Sequence, residues 1–394
     1  MSATEPTLKR RLGFGLLTLY GVGVMIGAGI YVLVGQVAGQ TGEWAPATFL
    51  LAGLIAAPTA LVYADLSSRI PESAGEAAYV RAASGSDAIA ALVGLAVAAV
   101  GVISAGAVLQ GGAGYLVSVV PIPRELAIIA AGLLLTGAAI LGVIESLAFA
   151  AVLTVIELIG LLLVIAVGLG GEGLAANPVE GVGLSAIAAA SILAFFAFIG
   201  FEDMVNMVEE TKDPARTMPR AIIAALLLTT LIYVLVAWAA SRTVPAAELG
   251  ASDKPLALVF ETATGQGAAF LSLIAVAAAL NGVLAQIVMS ARVLFGLGRF
   301  APAFRVFHRA HPRFGTPVLG TLIPAALTIL LALTAPLATL AEITSLVLLA
   351  VFVAINAALI VLRRRDPSHG WVPTWVPWFG GLLSLAAFGW GVLS

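Results

Sequence analysis

Apolar runs of about 20 residues recur along the whole chain, each long enough for a helix to cross the roughly 30 Å hydrocarbon core of a bilayer. Eleven such runs lie near 14–38, 46–66, 88–120, 125–143, 146–170, 184–207, 220–241, 265–291, 317–335, 340–362 and 375–394. With 61% of its 394 residues hydrophobic and 10% charged, the chain has too little polar material to cover a water-soluble domain of this size. Stretches such as Leu161-Leu162-Leu163-Val164-Ile165 are continuously apolar, whereas strands of a membrane barrel alternate, so the spans are expected to be helices. The first run is too long and too rich in glycine for the core of a signal peptide and is expected to remain in the mature protein. The expected fold class is an all-α polytopic membrane protein of about 11 transmembrane helices, a single domain over 1–394.

What the chain lacks narrows its chemistry. It has no Cys, and His308, His311 and His369 all lie outside the apolar runs, so no metal site and no cofactor are expected in the membrane. Three lysines and a net charge of -2 provide no basic domain for nucleic acid. No Gly-x-x-x-x-Gly-Lys-Ser/Thr loop is present, which argues against a nucleotide-driven pump.

Orientation follows from Lys and Arg. With the N-terminus placed in the cytoplasm, sixteen of the nineteen basic residues fall on inner ends and loops, and only Arg124, Arg242 and Lys254 fall outside. The expectation is a multi-pass protein of the cytoplasmic membrane with Ser394 outside if the spans number eleven. The inner connection from Arg292 to Pro317 mixes arginines with Phe295, Phe300, Phe304 and Phe307 and reads as a surface-lying amphipathic segment.

Two spans look irregular. In the first, Gly23 and Gly27 could serve only close helix packing. The alternative is a discontinuous helix at Gly27-Ala28-Gly29, whose freed N–H groups bind an anion and whose freed carbonyls bind a cation. In the sixth, Phe195-Phe196-Ala197-Phe198-Ile199-Gly200-Phe201-Glu202-Asp203 brings a glycine and two acids to mid-run, where carboxylates are expensive and rarely face lipid. The two lie five spans apart, and an odd five-helix unit must be inverted in its second copy. Paired breaks in inverted halves point to an alternating-access transporter with its site at the repeat interface.

Four motifs, in order, carry a resemblance to a known family. They are Gly23-Val24-Met25-Ile26-Gly27-Ala28-Gly29-Ile30-Tyr31; Tyr63-Ala64-Asp65-Leu66-Ser67-Ser68-Arg69-Ile70-Pro71; Phe195 to Glu202 continuing into Glu209-Glu210-Thr211-Lys212-Asp213-Pro214; and Ser290-Ala291-Arg292-Val293-Leu294 followed by His311-Pro312-Arg313-Phe314-Gly315-Thr316-Pro317. Over essentially its whole length the chain resembles the amino acid-polyamine-organocation superfamily of permeases. The resemblance implies a five-plus-five inverted-repeat bundle of the leucine-transporter type, with repeats roughly 14–170 and 184–362 and an extra helix at 375–394. It implies that backbone N–H groups around Gly27, Ala28 and Gly29 hold a substrate α-carboxylate. Carbonyls near Ile26, Phe196 and Ile199, with Ala197 between the last two, would take the α-amino group, and the Phe196 ring would gate the site. Two positions depart from the family. Ala28 replaces a frequent serine, and Glu157 stands where some proton-coupled relatives carry a lysine.

The polar residues inside the runs admit two readings each. Glu157 and Glu202 are candidate proton carriers, or else structural hydrogen-bonding groups. Asn281 and Gln286 line an ion path or act as interhelical glue, and Thr344 and Ser345 face the site or bond their own backbone. Glu209 and Glu210 with Lys212 and Arg216 form a latch or a solvated charge cluster. The resulting expectation is a secondary transporter of neutral or cationic amino acids, coupled to protons, with the lipid bilayer and a small-molecule substrate as its partners. An exchanger or polyamine transporter is the alternative. A channel would need a polar pore stripe, and a membrane-embedded enzyme would need a catalytic constellation; the runs offer neither.

Overall fold

The computed structural model describes residues 12–27, 29–70, 75–142, 147–171, 182–367 and 370–393. Ala28, Pro71, His369, Ser394 and the N-terminal Lys9, Arg10 and Arg11 lie outside the described residues. Fifteen α-helices follow in order: α1 Phe14–Ile26, α2 Gly29–Thr41, α3 Ala45–Arg69, α4 Gly75–Ser84, α5 Asp87–Val117, α6 Arg124–Leu141, α7 Leu147–Gly170, α8 Leu184–Phe195, α9 Pro214–Thr243, α10 Ala246–Ala251, α11 Pro255–Thr264, α12 Ala269–Leu297, α13 Val318–Thr334, α14 Leu337–Arg365 and α15 Trp375–Leu393. Tight 3₁₀ turns join some of them, the longest at Glu202–Glu210. Outside the helices, the described residues show one isolated parallel bridge, Leu12 with Thr211. It ties the start of α1 to the segment after Glu210, through Leu12 N–H on Glu210 O (3.0 Å) and Lys212 N–H on Leu12 O (2.8 Å).

Among the described residues, nine stretches are long and apolar enough to cross a membrane, and α1 and α13 are shorter apolar helices of 13 and 17 residues. The eleven apolar runs all fall on these helices, so the difference from eleven is one of segmentation. The first run divides at Gly27, and its second part, α2, continues through a short turn into α3 as a single stretch Gly29–Arg69. The eighth run extends further than its apolar residues indicate: α12 continues to Leu297 and so carries Arg292.

Helices pack through small residues, as expected where lipid removes most of the hydrophobic drive for association and close approach must supply the attraction. The most extensive contacts join α5 to α12 and α3 to α9, and α15 lies against α14 and α3. On the outside, Leu92, Leu134, Leu227 and Leu382 are each more than 60% exposed. A continuous apolar exterior of this kind is tolerable only against lipid. Inside, Tyr63, Phe195, Phe201 and Phe352 meet edge to face or tilted at centroid distances of 5.5–5.8 Å, joining α3, the sixth span and α14.

The α10–α11 segment covers one end of the bundle. Gln36 Nε2 donates to Gly250 O (3.1 Å), Leu256 N–H donates to the Tyr115 hydroxyl (3.2 Å), and Arg124 pairs with Asp253 (3.0 Å). Deeper in, the Asn356 amide of α14 donates to Thr59 Oγ1 of α3 and to Phe352 O, both at 2.8 Å, and Gly380 of α15 packs on that amide. Interhelical hydrogen bonds of this kind in membranes contribute roughly 0.5–2 kcal/mol. Asn356→Leu is therefore expected to lower unfolding stability by about that amount, as measured by denaturant titration in detergent, with substrate affinity unchanged.

Candidate binding site at two helix breaks

The first break falls inside the glycine cluster. α1 stops at Ile26, and Gly27 takes φ 26° and ψ -140°, a conformation that a side chain would strain, before α2 starts at Gly29. The second break follows α8. A 3₁₀ turn at Phe196–Phe198 leads to Ile199 in an extended conformation, and Gly200 follows at φ 127°. The chain resumes as the 3₁₀ stretch from Glu202. The breaks touch each other. A Cβ added at Gly29 would lie 3.1 Å from Ala197 Cα, and one at Gly200 would lie 3.0 Å from the Val24 carbonyl carbon. Glycine at these positions lets two stretches of bare backbone meet.

A helix break frees carbonyls and N–H groups that hydrocarbon cannot satisfy, so partners must come from the protein or from water. The Tyr233 hydroxyl on α9 lies 2.7 Å from Met25 O and 2.8 Å from Ala197 O, so one side chain joins both breaks. Phe196 O accepts from Ile199 N–H (3.2 Å), and Glu202 Oε2 accepts from Gly200 N–H (2.9 Å). Tyr31 on α2 donates to Glu157 O (2.7 Å), while Tyr115 on α5 donates to Tyr31 O (2.7 Å). Tyr31 closes the first of the four motifs without a role of its own, and Tyr115 and Tyr233 stand in none of them, because an apolar run containing one tyrosine does not reveal which backbone its hydroxyl reaches.

A cavity of about 1750 Å³ begins at Gly27, Gly29, Phe196 and Ile199 and runs to Arg69, Arg81, Arg292 and Arg299 at the arginine-rich end. Its volume exceeds the roughly 300–1,000 Å³ of ordinary ligand pockets, so it combines a small site at the breaks with a wide vestibule. Phe196 is 5% exposed and lies on the cavity wall. Ile26, Ala197 and Ile199 are buried around the breaks, and Ala28 lies outside the described residues.

The two candidate carboxylates sit differently. Glu157 is buried on α7, its oxygens have no well-formed hydrogen bond among the described residues, and Asn281 is the polar side chain facing it. Glu202 is also buried, but its carboxylate folds back on Gly200 N–H beneath the second break and does not line the cavity. Asp203 does line the cavity and accepts from Gln286 Nε2 (3.3 Å).

Other polar residues that admitted two readings also find their places. Thr344 and Ser345 bond Leu340 O and Ala341 O on their own helix and stand off the cavity wall, because a hydroxyl in an apolar helix satisfies itself most cheaply one turn back. Of the charge cluster around Glu210 and Lys212, Arg216 pairs at 3.9 Å with Asp213 at the exposed start of α9, and the side chain of Glu209 lies outside the described residues. Glu76, at the start of α4, was overlooked. It is buried on the cavity wall and accepts from the Tyr63 hydroxyl (3.1 Å).

Comparison with known proteins now has a geometry to explain. The family model described as "Amino acid permease" matches residues 12–394. The chain belongs to the amino acid permease family. This membrane transporter is 30% identical over 395 residues to the "Branched-chain amino acid permease BcaP" of Bacillus subtilis (strain 168), which covers 92% of this chain and 83% of that one. It is 32% identical over 387 residues to the "Methylthioribose transporter" of the same organism, with the same coverage. It is 31% identical over 394 residues to the "Cationic amino acid transporter 4, vacuolar" of Arabidopsis thaliana, covering 92% of this chain but 64% of that protein's length.

Two outcomes are expected. Tyr233→Phe deprives Met25 O and Ala197 O of their shared donor, at a cost of about 1–3 kcal/mol for buried groups left unsatisfied; thermal unfolding of the permease should register the loss. Burial pushes the Glu76 carboxyl above the usual carboxylate range, so the folded form keeps this proton to higher pH than the unfolded chain does. Folding stability from this group is then present at low pH and falls as pH rises past the unfolded value. Glu76→Gln, which cannot titrate, should raise Tm at about pH 8 and match the parent near about pH 4.

Proposed function

We propose that this permease moves an amino acid across the cytoplasmic membrane by alternating access, with the substrate held at the two touching breaks. The juxtaposition of Gly27 and Gly29 with Ala197 to Gly200, at the closed end of a cavity that reaches solvent, carries this reading. A zwitterion suits such a site. The N-terminal end of α2 favours the carboxylate, and carbonyls around Ile26, Phe196 and Ile199 favour the ammonium group, without any fixed charge. The Phe196 ring caps the occupied site. Ala28, for which a frequent serine would add a hydroxyl, contributes its backbone alone.

The architecture proposed is a five-plus-five inverted repeat, 14–170 and 184–362, with α15 as an extra helix; the first span of each half is the broken one. The N-terminus lies in the cytoplasm, which makes the solvated vestibule inward-open and the α10–α11 cover external, with the C-terminus outside. Glu157 is the proton carrier of first choice, since a buried carboxyl without a well-formed partner gains most from moving between water and a dry setting. Glu202, already engaged with Gly200 N–H, is the second. Relatives named for branched-chain and for cationic amino acids support amino acid transport while spanning both neutral and basic substrates.

Purified protein in liposomes is expected to take up at least one radiolabelled amino acid saturably; folded protein that moves no amino acid, amine or polyamine would sink the reading. Gly29→Val should weaken binding about tenfold, which is about 1.4 kcal/mol, because the added side chain meets Ala197. Glu157→Gln should retain exchange while losing accumulation driven by a proton gradient. Unchanged accumulation in both Glu157→Gln and Glu202→Gln, or a strict sodium requirement, would remove the proton from the mechanism.

A further inference from the structure

At the arginine-rich end, one carboxylate serves two arginines from different helices. Asp65, near the end of α3, is fully buried; it pairs with Arg69 one turn on and with Arg363 Nη2 of α14 at 2.6 Å. The arginine side chains are only 9% and 12% exposed. The chain between α14 and α15 closes over the pair. Val372 N–H approaches Asp65 Oδ2 (3.4 Å), Arg69 Nη1 approaches Asp366 O (3.4 Å), and a Cβ at Gly370 would collide with Arg69 Nη2 and Asp65 Oδ2. Arg69 Nη2 and Arg363 Nε and Nη1 are buried without a hydrogen-bond partner among the described residues. Among the described residues, Asp65 is thus a carboxylate that two guanidinium groups meet together.

The position of this cluster gives it a mechanical meaning. Arg69, Ile70 and residues from Gly75 to Ala82 form one wall of the vestibule. That wall is fastened to α14 at both ends, by Asp65 on Arg363 and by Arg365 Nη1 on Ala82 O (3.1 Å). Closing the vestibule at this end by moving the wall inward requires these contacts to give way. An interaction made in one conformer and weakened in the other biases the equilibrium toward the first.

We propose that Asp65, Arg69 and Arg363, with Arg365 on Ala82, form a lock that pins the α4 wall to α14 and favours the form of the permease open at the arginine-rich end. The proposal rests on the alternating-access reading for its meaning, but its test requires no substrate. Removing Asp65 takes away the carboxylate that both guanidinium groups meet, and removing Arg363 cuts the tie between helices while the Asp65–Arg69 pair survives within α3.

The chain has no Cys, so a single introduced thiol is the sole target for a maleimide. Ala285→Cys reports the vestibule wall on α12, and Gln36→Cys reports the end covered by α10–α11. In detergent-solubilised full-length protein, Arg363→Gln is expected to slow labelling at Ala285→Cys at least threefold and to speed it at Gln36→Cys. General loosening would instead speed both. Asp65→Asn should act in the same direction. The exchange Asp65→Arg with Arg363→Asp, which again sets one carboxylate between two guanidinium groups, should restore both rates. Parent rates in well-folded Arg363→Gln, acceleration at both reporters, or failure of the exchange to restore them would overturn the lock. Should Asp65→Asn fail to fold, Arg363→Gln decides alone. A labelling shift in protein that transports nothing would count against the transport reading and leave the lock standing.

Discussion

A backbone amide inside a bilayer has no water to turn to, and the form of this permease follows from that constraint. Regular helix answers it almost everywhere, so the two interruptions near Gly27 and Gly200 can exist only where other groups stand in. Some of those groups belong to the protein: the Tyr233 hydroxyl lies on Met25 O and Ala197 O, and the Glu202 carboxylate takes Gly200 N–H. Gly27, Gly29, Phe196 and Ile199 also line the cavity that runs to the arginine-rich end. In the reading proposed above, a binding site for a zwitterion follows from leaving two helices unfinished side by side, with no charged side chain needed to define it.

Charge is placed by a related economy. Buried carboxylates occur in two settings that differ in partner. Asp65 is neutralised twice over at the rim, as suits a structural tie. Glu157, Glu202 and Asp203 are buried as well but take part in none of the ion pairs among the described residues. In the readings proposed above, the rim contacts hold helices in one arrangement and the acids inside the spans carry the proton. Both roles depend on depth and on neighbours, and residue type alone distinguishes neither.

Much of this was legible before any coordinates. Hydropathy located the apolar helices, since a continuous run must satisfy its own backbone and the residues within it record that directly. The glycine cluster at 27–29 and the Gly200-Phe201-Glu202 sequence marked both breaks, because unwound helix and mid-run acids violate the local rule so plainly. For Thr344 and Ser345 the sequence left two readings open, and the structure chose the bond to their own backbone. In each case the sequence shows that a polar group is present and says nothing of the direction in which it points.

The sequence by itself determined the class of protein, the rough extent of its spans and the sites of interruption, all of which are local consequences of a chain meeting hydrocarbon. Only the tertiary structure decided which distant groups complete those interruptions. Tyr233 meets Met25 across 208 positions and Arg363 meets Asp65 across 298. Such pairings carry no local signature. They arise when helices pack closely through small residues, and the geometry of that packing, more than any property of the residues themselves, selects the partner of each buried hydroxyl and charge.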